Sequence, residues 1–156
     1  CGPGLGHMAE SQIEFTLPVT EDKVRAFAGA VAEQDPICSD GEEAAHEGFP
    51  NIVAPPTFTV TQIFEVPREE RERRLGANLN YGRVLHGEQE FTYKRLPVAG
   101  EELKGVMRIS KDFEKEGKRG GKMRFVTYET TFTDTEGDEV LSAYYTLIET
   151  SKDAAS

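Results

Sequence analysis

Ile13, Phe15 and Leu17 alternate with polar neighbours, the period of a half-buried strand, and Pro18 closes the run. Thr20 then precedes Glu21 and Asp22, a side-chain N-cap followed by acids where a helix dipole is positive. Val24, Phe27, Ala28 and Val31 follow at i, i+3, i+4 and i+7. This spacing predicts a helix from Glu21 to about Gln34, stopped by Asp35-Pro36. Residues 35–56 hold Pro36, Gly41, Gly48, Pro50, Pro55 and Pro56, so a long irregular segment is expected, with a helical turn around Glu42 to His46. Residues 57–66 fit both periods: Phe58, Val60 and Phe64 alternate, while Val60, Ile63 and Phe64 share a helical face. Residues 67–75 are mostly Arg and Glu, the pattern of a solvated helix or loop.

The second half is β-rich. Leu85, Phe91 and Tyr93 share one face of a strand from about Arg83 to Lys94, with His86 on the opposite face beside Val84 and Glu88. Leu103, Met107 and Ile109 share a face of the next strand. In a third, Met123, Phe125, Thr127 and Thr131 alternate with Val126, Tyr128 and Phe132. Gly117 and Gly120-Gly121 break the chain between these two strands, and Thr135-Glu136-Gly137-Asp138 is a turn. The last strand, Val140 to Glu149, is apolar on both faces and therefore belongs inside the sheet. A short strand, helices and four long antiparallel strands make an α+β domain whose sheet can wrap a helix.

Composition narrows the class. Hydrophobic residues make up 37% and charged residues 29% of the 156, ordinary for one globular domain. The formal charge of −10 repels phosphate backbones, so no nucleic-acid partner is expected. No apolar run is long enough for a membrane-spanning helix. Cys1 to His7 matches nothing after it and reads as an expression scar before a start at Met8, with no secretory leader. A single domain is expected over residues 8–150, with a small, polar, fraying tail over 151–156. Outside the scar the chain has one cysteine, Cys38, and two histidines, His46 and His86. One cysteine makes no internal disulfide and fits a reducing cytoplasm. No metal or redox cofactor is implied.

Two runs carry a resemblance. Ala54-Pro55-Pro56-Thr57-Phe58 follows Glu47-Gly48-Phe49. Arg83-Val84-Leu85-His86-Gly87-Glu88-Gln89 continues through Leu96-Pro97-Val98-Ala99-Gly100-Glu101. Together they resemble the MaoC-like hydratases and dehydratases of acyl thioesters. Over residues 9–149 the chain is similar to the non-catalytic N-terminal half of hydratase 2 and to the actinobacterial dehydratase subunit that pairs with a separate catalytic subunit. The resemblance implies a single hot-dog domain, a curved antiparallel sheet around a central helix, and assigns that helix to residues 56–66.

Active members of that family carry Asp-x-Asn-Pro-x-His. Their Asp and His hold a water that adds across a trans-2-enoyl thioester, giving a (3R)-hydroxyacyl thioester. A backbone N–H in a later Ala-His-Gly segment stabilises the enolate-like oxygen. On this chain the signature becomes Glu33-Gln34-Asp35-Pro36-Ile37-Cys38, and Ala-His-Gly becomes Ala54-Pro55-Pro56. Glu33 is one methylene longer than the acid it replaces. Cys38 is a weak substitute for a histidine, with a reference pKa of roughly 8.5. Proline has no N–H to donate. No intact catalytic site is therefore expected.

The resemblance implies a subunit of a (3R)-hydroxyacyl-thioester dehydratase or enoyl hydratase, acting on acyl-CoA or acyl carrier protein. This chain supplies the acyl pocket, with Phe49, Ala54, Pro55, Pro56, Phe58, His86 and residues near Ile63 in its wall, and a MaoC-like partner supplies the acid, base and oxyanion donor. Each residue also has a plainer reading. Cys38 is an inert buried thiol, Glu33 a solvated helix-end acid, Asp35-Pro36 a helix stop, His46 structural or exposed, and His86 a structural hydrogen-bonder. The rivals are an active homodimer using Glu33, a non-enzymatic acyl-thioester-binding protein, and, behind both, a thioesterase.

Overall fold

The computed structural model describes residues 9–118 and 121–151. The expected scar over residues 1–7, Met8, residues 119–120 with the expected break at Gly120, and residues 152–156 of the expected tail lie outside them. The chain forms β1 (Ile13–Pro18), α1 (Glu21–Ala30), a 3₁₀ turn (Pro36–Cys38), α2 (Gly41–His46), a 3₁₀ segment (Phe58–Phe64) and α3 (Arg68–Leu75). A second 3₁₀ turn (Tyr81–Arg83) then leads into β2 (Val84–Tyr93), β3 (Glu102–Glu116), β4 (Lys122–Thr133) and β5 (Glu139–Glu149). The five strands make one antiparallel sheet in the order β1-β3-β4-β5-β2. β5 is an interior strand, as its two apolar faces require, and β1 and β2 are the edges.

The inner face of the sheet carries the core. Tyr128, Phe132, Val126, Leu103 and Met107 are all nearly inaccessible there, which bears out the alternation of β3 and β4. One cluster lies under α1 and the 3₁₀ segment and holds Leu17, Val24, Phe58, Phe132 and Leu141. The other lies under α3 and holds Ile13, Leu75, Met107, Tyr128 and Leu147. Together they form the two halves of one covered sheet face.

Three expectations about the helical segments need correction. Thr20 caps α1 through Lys23 N–H, but the helix stops at Ala30, not near Gln34. Ala32 adopts a left-handed φ of 54°, and Val31 is 47% exposed, so the apolar stripe ends a turn early. Residues 56–66 form a 3₁₀ segment, Phe58–Phe64, where an α-helix was expected. Thr57 makes no side-chain cap, Phe64 is 77% exposed, and β-branched Thr59, Val60, Thr61 and Ile63 weaken an α-helix. Residues 67–75 are helical, but not solvated throughout: Arg71 is only 7% exposed.

A bulge changes β2. The register shifts between His86 and Glu88, leaving Gly87 unpaired. A Cβ on Gly87 would lie 2.7 Å from Ile148 Cδ1, so glycine suits this position of the Leu-His-Gly-Glu run. The extra residue flips the later alternation. His86 therefore shares the inner face with Gln89 and Phe91, while Glu88 opens onto the outer face, against the expectation from simple alternation.

Candidate functional site

The two sequence runs that carry the resemblance meet in space. Val53 bridges Val98, Ala54 N–H donates to Pro97 O at 2.9 Å, and Ala99 N–H donates to Ile52 O at 2.9 Å. Val53 N–H also donates to Ile37 O at 2.9 Å, which brings the Pro36–Cys38 turn against the same strip. The degenerate signature is thus assembled beside Ala54-Pro55-Pro56, although its chemistry is altered.

The signature side chains serve the backbone. A Glu33 carboxylate oxygen accepts from Asp35 N–H at 3.0 Å, and an Asp35 carboxylate oxygen accepts from Ile37 N–H at 3.1 Å. Both are local caps of the helix exit and the following turn. Cys38 is 3% exposed. Burial, reinforced by the negative charges of Glu33 and Asp35, pushes its thiol up to about 11. A thiol held neutral in this way is a poor base and a poor nucleophile.

Ala54 and Phe58 are core residues at 0% and 1% exposure, and Phe58 packs edge-on against Phe27 with centroids 5.7 Å apart. Pro55 is buried, Pro56 exposed, Phe49 half-buried and His46 exposed. His86 lies elsewhere, over the second core cluster. Its ring stacks on Tyr145 at 6.1 Å, and Tyr145 stacks on Tyr128 at 5.1 Å. The stack runs inward from the edge strand β2 through β5 to β4.

Under that stack lies a cluster that sequence reasoning missed. Arg71, from α3, donates to the hydroxyls of Tyr145 and Tyr81. Its guanidinium sits 4.5 Å from the Tyr128 ring centroid. Glu72 accepts from the Tyr81 and Tyr128 hydroxyls, each at 2.8 Å. Burial disfavours the Arg71 charge, but the tyrosine oxygens and Glu72 outweigh it and hold the guanidinium firmly protonated. Burial pushes Tyr81 and Tyr145 up to about 12. Nothing apolar marks Arg71 in the chain. The available signal was on the strands, where Tyr128 and Tyr145 place hydroxyls toward a core and so require partners.

Two cavities flank the Phe58–Phe64 segment. One, of about 570 Å³, is an apolar groove against α1, walled by Leu17, Phe27, Ala30 and Phe64. The other, of about 230 Å³, is mixed and includes Gln62, Arg71, Tyr81, His86, Gln89 and Tyr145. Val60 and Ile63 border both. This arrangement suits a ligand that joins an aliphatic chain to a polar group.

Comparison with known proteins agrees with this fold. Residues 6–143 match the family model of the FAS1-like dehydratase domain region. A UPF0336 protein of Leifsonia xyli subsp. xyli is 35% identical over 130 residues, 83% of each chain. The C-terminally truncated HadBC complex of Mycobacterium tuberculosis, a (3R)-hydroxyacyl-ACP dehydratase, superposes with a TM-score of 0.73 at 24% identity, covering 92% of this chain and 99% of that one. A MaoC-like dehydratase gives a TM-score of 0.73 at 28% identity over 90% of this chain, which spans 42% of that longer chain. The sheet order, the matched residues and these relatives place the chain in the FAS1-like dehydratase-region family, among the MaoC-like hot-dog proteins.

Proposed function

We propose that this chain is the acyl-binding, structural half of a (3R)-hydroxyacyl-thioester dehydratase/hydratase, working beside a MaoC-like catalytic subunit. The observation that carries the reading is a dehydratase fold whose own acid and base positions are diverted. Glu33 and Asp35 cap backbone, Cys38 is a buried neutral thiol, and Pro55 and Pro56 have no N–H. Losing one oxyanion donor alone costs about 10²–10³ in rate. The partner would bring the water-holding Asp and His and the glycine N–H. This chain would hold the acyl group along the apolar groove lined by Leu17, Phe27, Ala30 and Phe64.

The similarity to a HadBC chain supports a two-subunit arrangement. The edge strand β2 supports it too, because among the described residues its outer backbone groups have no neighbouring strand in the sheet. Pairing there would continue the sheet into a second hot-dog domain, in a heterodimer or, without the partner, a homodimer.

The test is hydration of a short trans-2-enoyl-CoA by this chain alone, by a MaoC-like chain with an intact signature, and by the mixture. Turnover well above either component is expected only in the mixture. Full activity of this chain alone, abolished by Glu33→Gln, would overturn the proposal in favour of a self-sufficient homodimer. Acyl-thioester binding without turnover in any pairing would favour a non-enzymatic binding protein.

A further inference from the structure

The Arg71–tyrosine cluster is closed upon itself, but Gln62 beside it is not. Gln62 is 4% exposed, and its amide oxygen has no hydrogen-bond partner among the described residues. An unsatisfied buried amide is costly, and folded chains rarely keep one without a use. The same side chain helps wall the 230 Å³ pocket under His86.

The chemistry of that pocket selects its ligand. Glu72 matches the positive charge of Arg71, and Glu69 pairs with Arg68 at 3.3 Å. An anion would find little uncompensated charge there. What remains open is an acceptor, which calls for an N–H or O–H donor. Val60, Ile63 and Leu147 add apolar wall, and the first two also border the apolar groove. The pocket and the groove thus share part of their wall.

We infer that Gln62, with His86 and Gln89 at the pocket mouth, forms a hydrogen-bonding subsite for a neutral N–H or O–H group on the bound acyl thioester. The inference rests on the acyl-thioester reading above. Two parts of such a ligand carry this chemistry: a secondary amide of the thiol arm, and the hydroxyl on acyl carbon 3. Gln62 is a positioning residue in this scheme and takes no part in proton transfer.

Three thioesters separate the sources. S-hexanoyl-N-acetylcysteamine carries the amide. S-ethyl (3R)-3-hydroxyhexanethioate carries the hydroxyl alone. S-ethyl hexanethioate carries neither. Their affinities for the full chain and for Gln62→Met are compared by NMR titration, with Gln62→Leu as a second replacement should the first fold poorly. The wild type is expected to prefer one donor-bearing probe over the plain ester by about 3- to 10-fold, the worth of one neutral hydrogen bond, and Gln62→Met to erase that preference. The preferred probe identifies the source. Gln62→Met is also expected to keep or raise Tm, because it removes an unpaired amide oxygen. A marked fall in Tm with both replacements would mean the amide is already satisfied and would overturn the subsite. Equal binding of all three probes, or a preference the substitution leaves intact, would overturn it while leaving acyl-thioester binding in place. No binding by any probe would overturn both.

Discussion

Arg71 concentrates more interactions than any of the residues chosen from the sequence as site candidates. It links α3 to β5 and to the turn before β2 through the Tyr145 and Tyr81 hydroxyls, with Glu72 as its counter-charge. Removing one partner of such a buried set strands the others. Arg71→Met is therefore expected to cost about 3 kcal/mol, read as a lower urea midpoint at unchanged slope. Cys38 gives an independent check on the degenerate signature. With its thiol near 11 and 3% exposed, it is expected to resist iodoacetamide at pH 8 in the native protein and to react at once in denaturant. Rapid native labelling would reopen a nucleophilic role. Cys38 and Glu33 were both legible as altered signature positions, because a motif is local. Arg71 was not, because Tyr128 and Tyr145 meet it from strands far along the chain, and Gln62 was not, because its burial depends on the tertiary fold.

At the scale of elements, two short-range rules are visible in the backbone. Ala32 holds a left-handed φ of 54° just after α1. An L-residue there costs roughly 1–2 kcal/mol, and glycine returns part of that gain through its freer unfolded state. Ala32→Gly is expected to stabilise by about 0.5–1 kcal/mol in a thermal melt. Between β1 and β3, Phe15 lies opposite Gly105, and a Cβ on Gly105 would sit 2.3 Å from Phe15 Cζ. Phe15 also packs edge-on against Phe132 at 6.0 Å, so its ring has little room to move. Gly105→Ala is expected to destabilise by about 1–3 kcal/mol. Strands were the most legible elements, since period-two alternation survives in β1, β3 and β4. The exceptions have local causes. A one-residue bulge at Gly87 inverted the faces of β2 beyond it, and β-branched residues over 59–63 left the segment above the sheet as 3₁₀.

For the whole molecule, opposite pH limits follow from its buried and paired groups. Burial raises Glu101, but hydrogen bonds from Arg95 and Val98 N–H outweigh it and hold the carboxyl below its ordinary range. Hydrogen bonds from Arg124 lower Asp112 against the opposing effect of burial. A depressed folded pKa gives stability that is present above the unfolded values, about 4.3 for Glu and 3.9 for Asp, and lost as pH falls through the folded ones. Burial pushes Tyr81, Tyr93 and Tyr145 up to about 12, with Glu72 assisting at Tyr81. Their raised values give stability that is complete below the unfolded pKa of about 10 and lost as pH rises toward about 12. Urea midpoints across pH are expected to be flat near neutrality and to fall at both ends. Tyr93→Phe should flatten the alkaline fall, and Arg124→Met the acid one. Among the described residues no helix is long and apolar enough to cross a membrane.

The sequence by itself determined the α+β class, the strand list, the cap of the first helix and the altered signature. Each depends on residues within a few positions of one another, where period, capping chemistry and motif spacing act directly. Tertiary structure alone decided that Arg71 and Glu72 leave a charged helix for the core. It likewise placed His86 over Tyr145, and left the Gln62 amide oxygen without a partner beside the mixed pocket under His86. Those outcomes depend on which strand lies beside which, and on a bulge that reverses a face. A buried polar group is satisfied or unsatisfied only with respect to neighbours that folding brings from elsewhere in the chain.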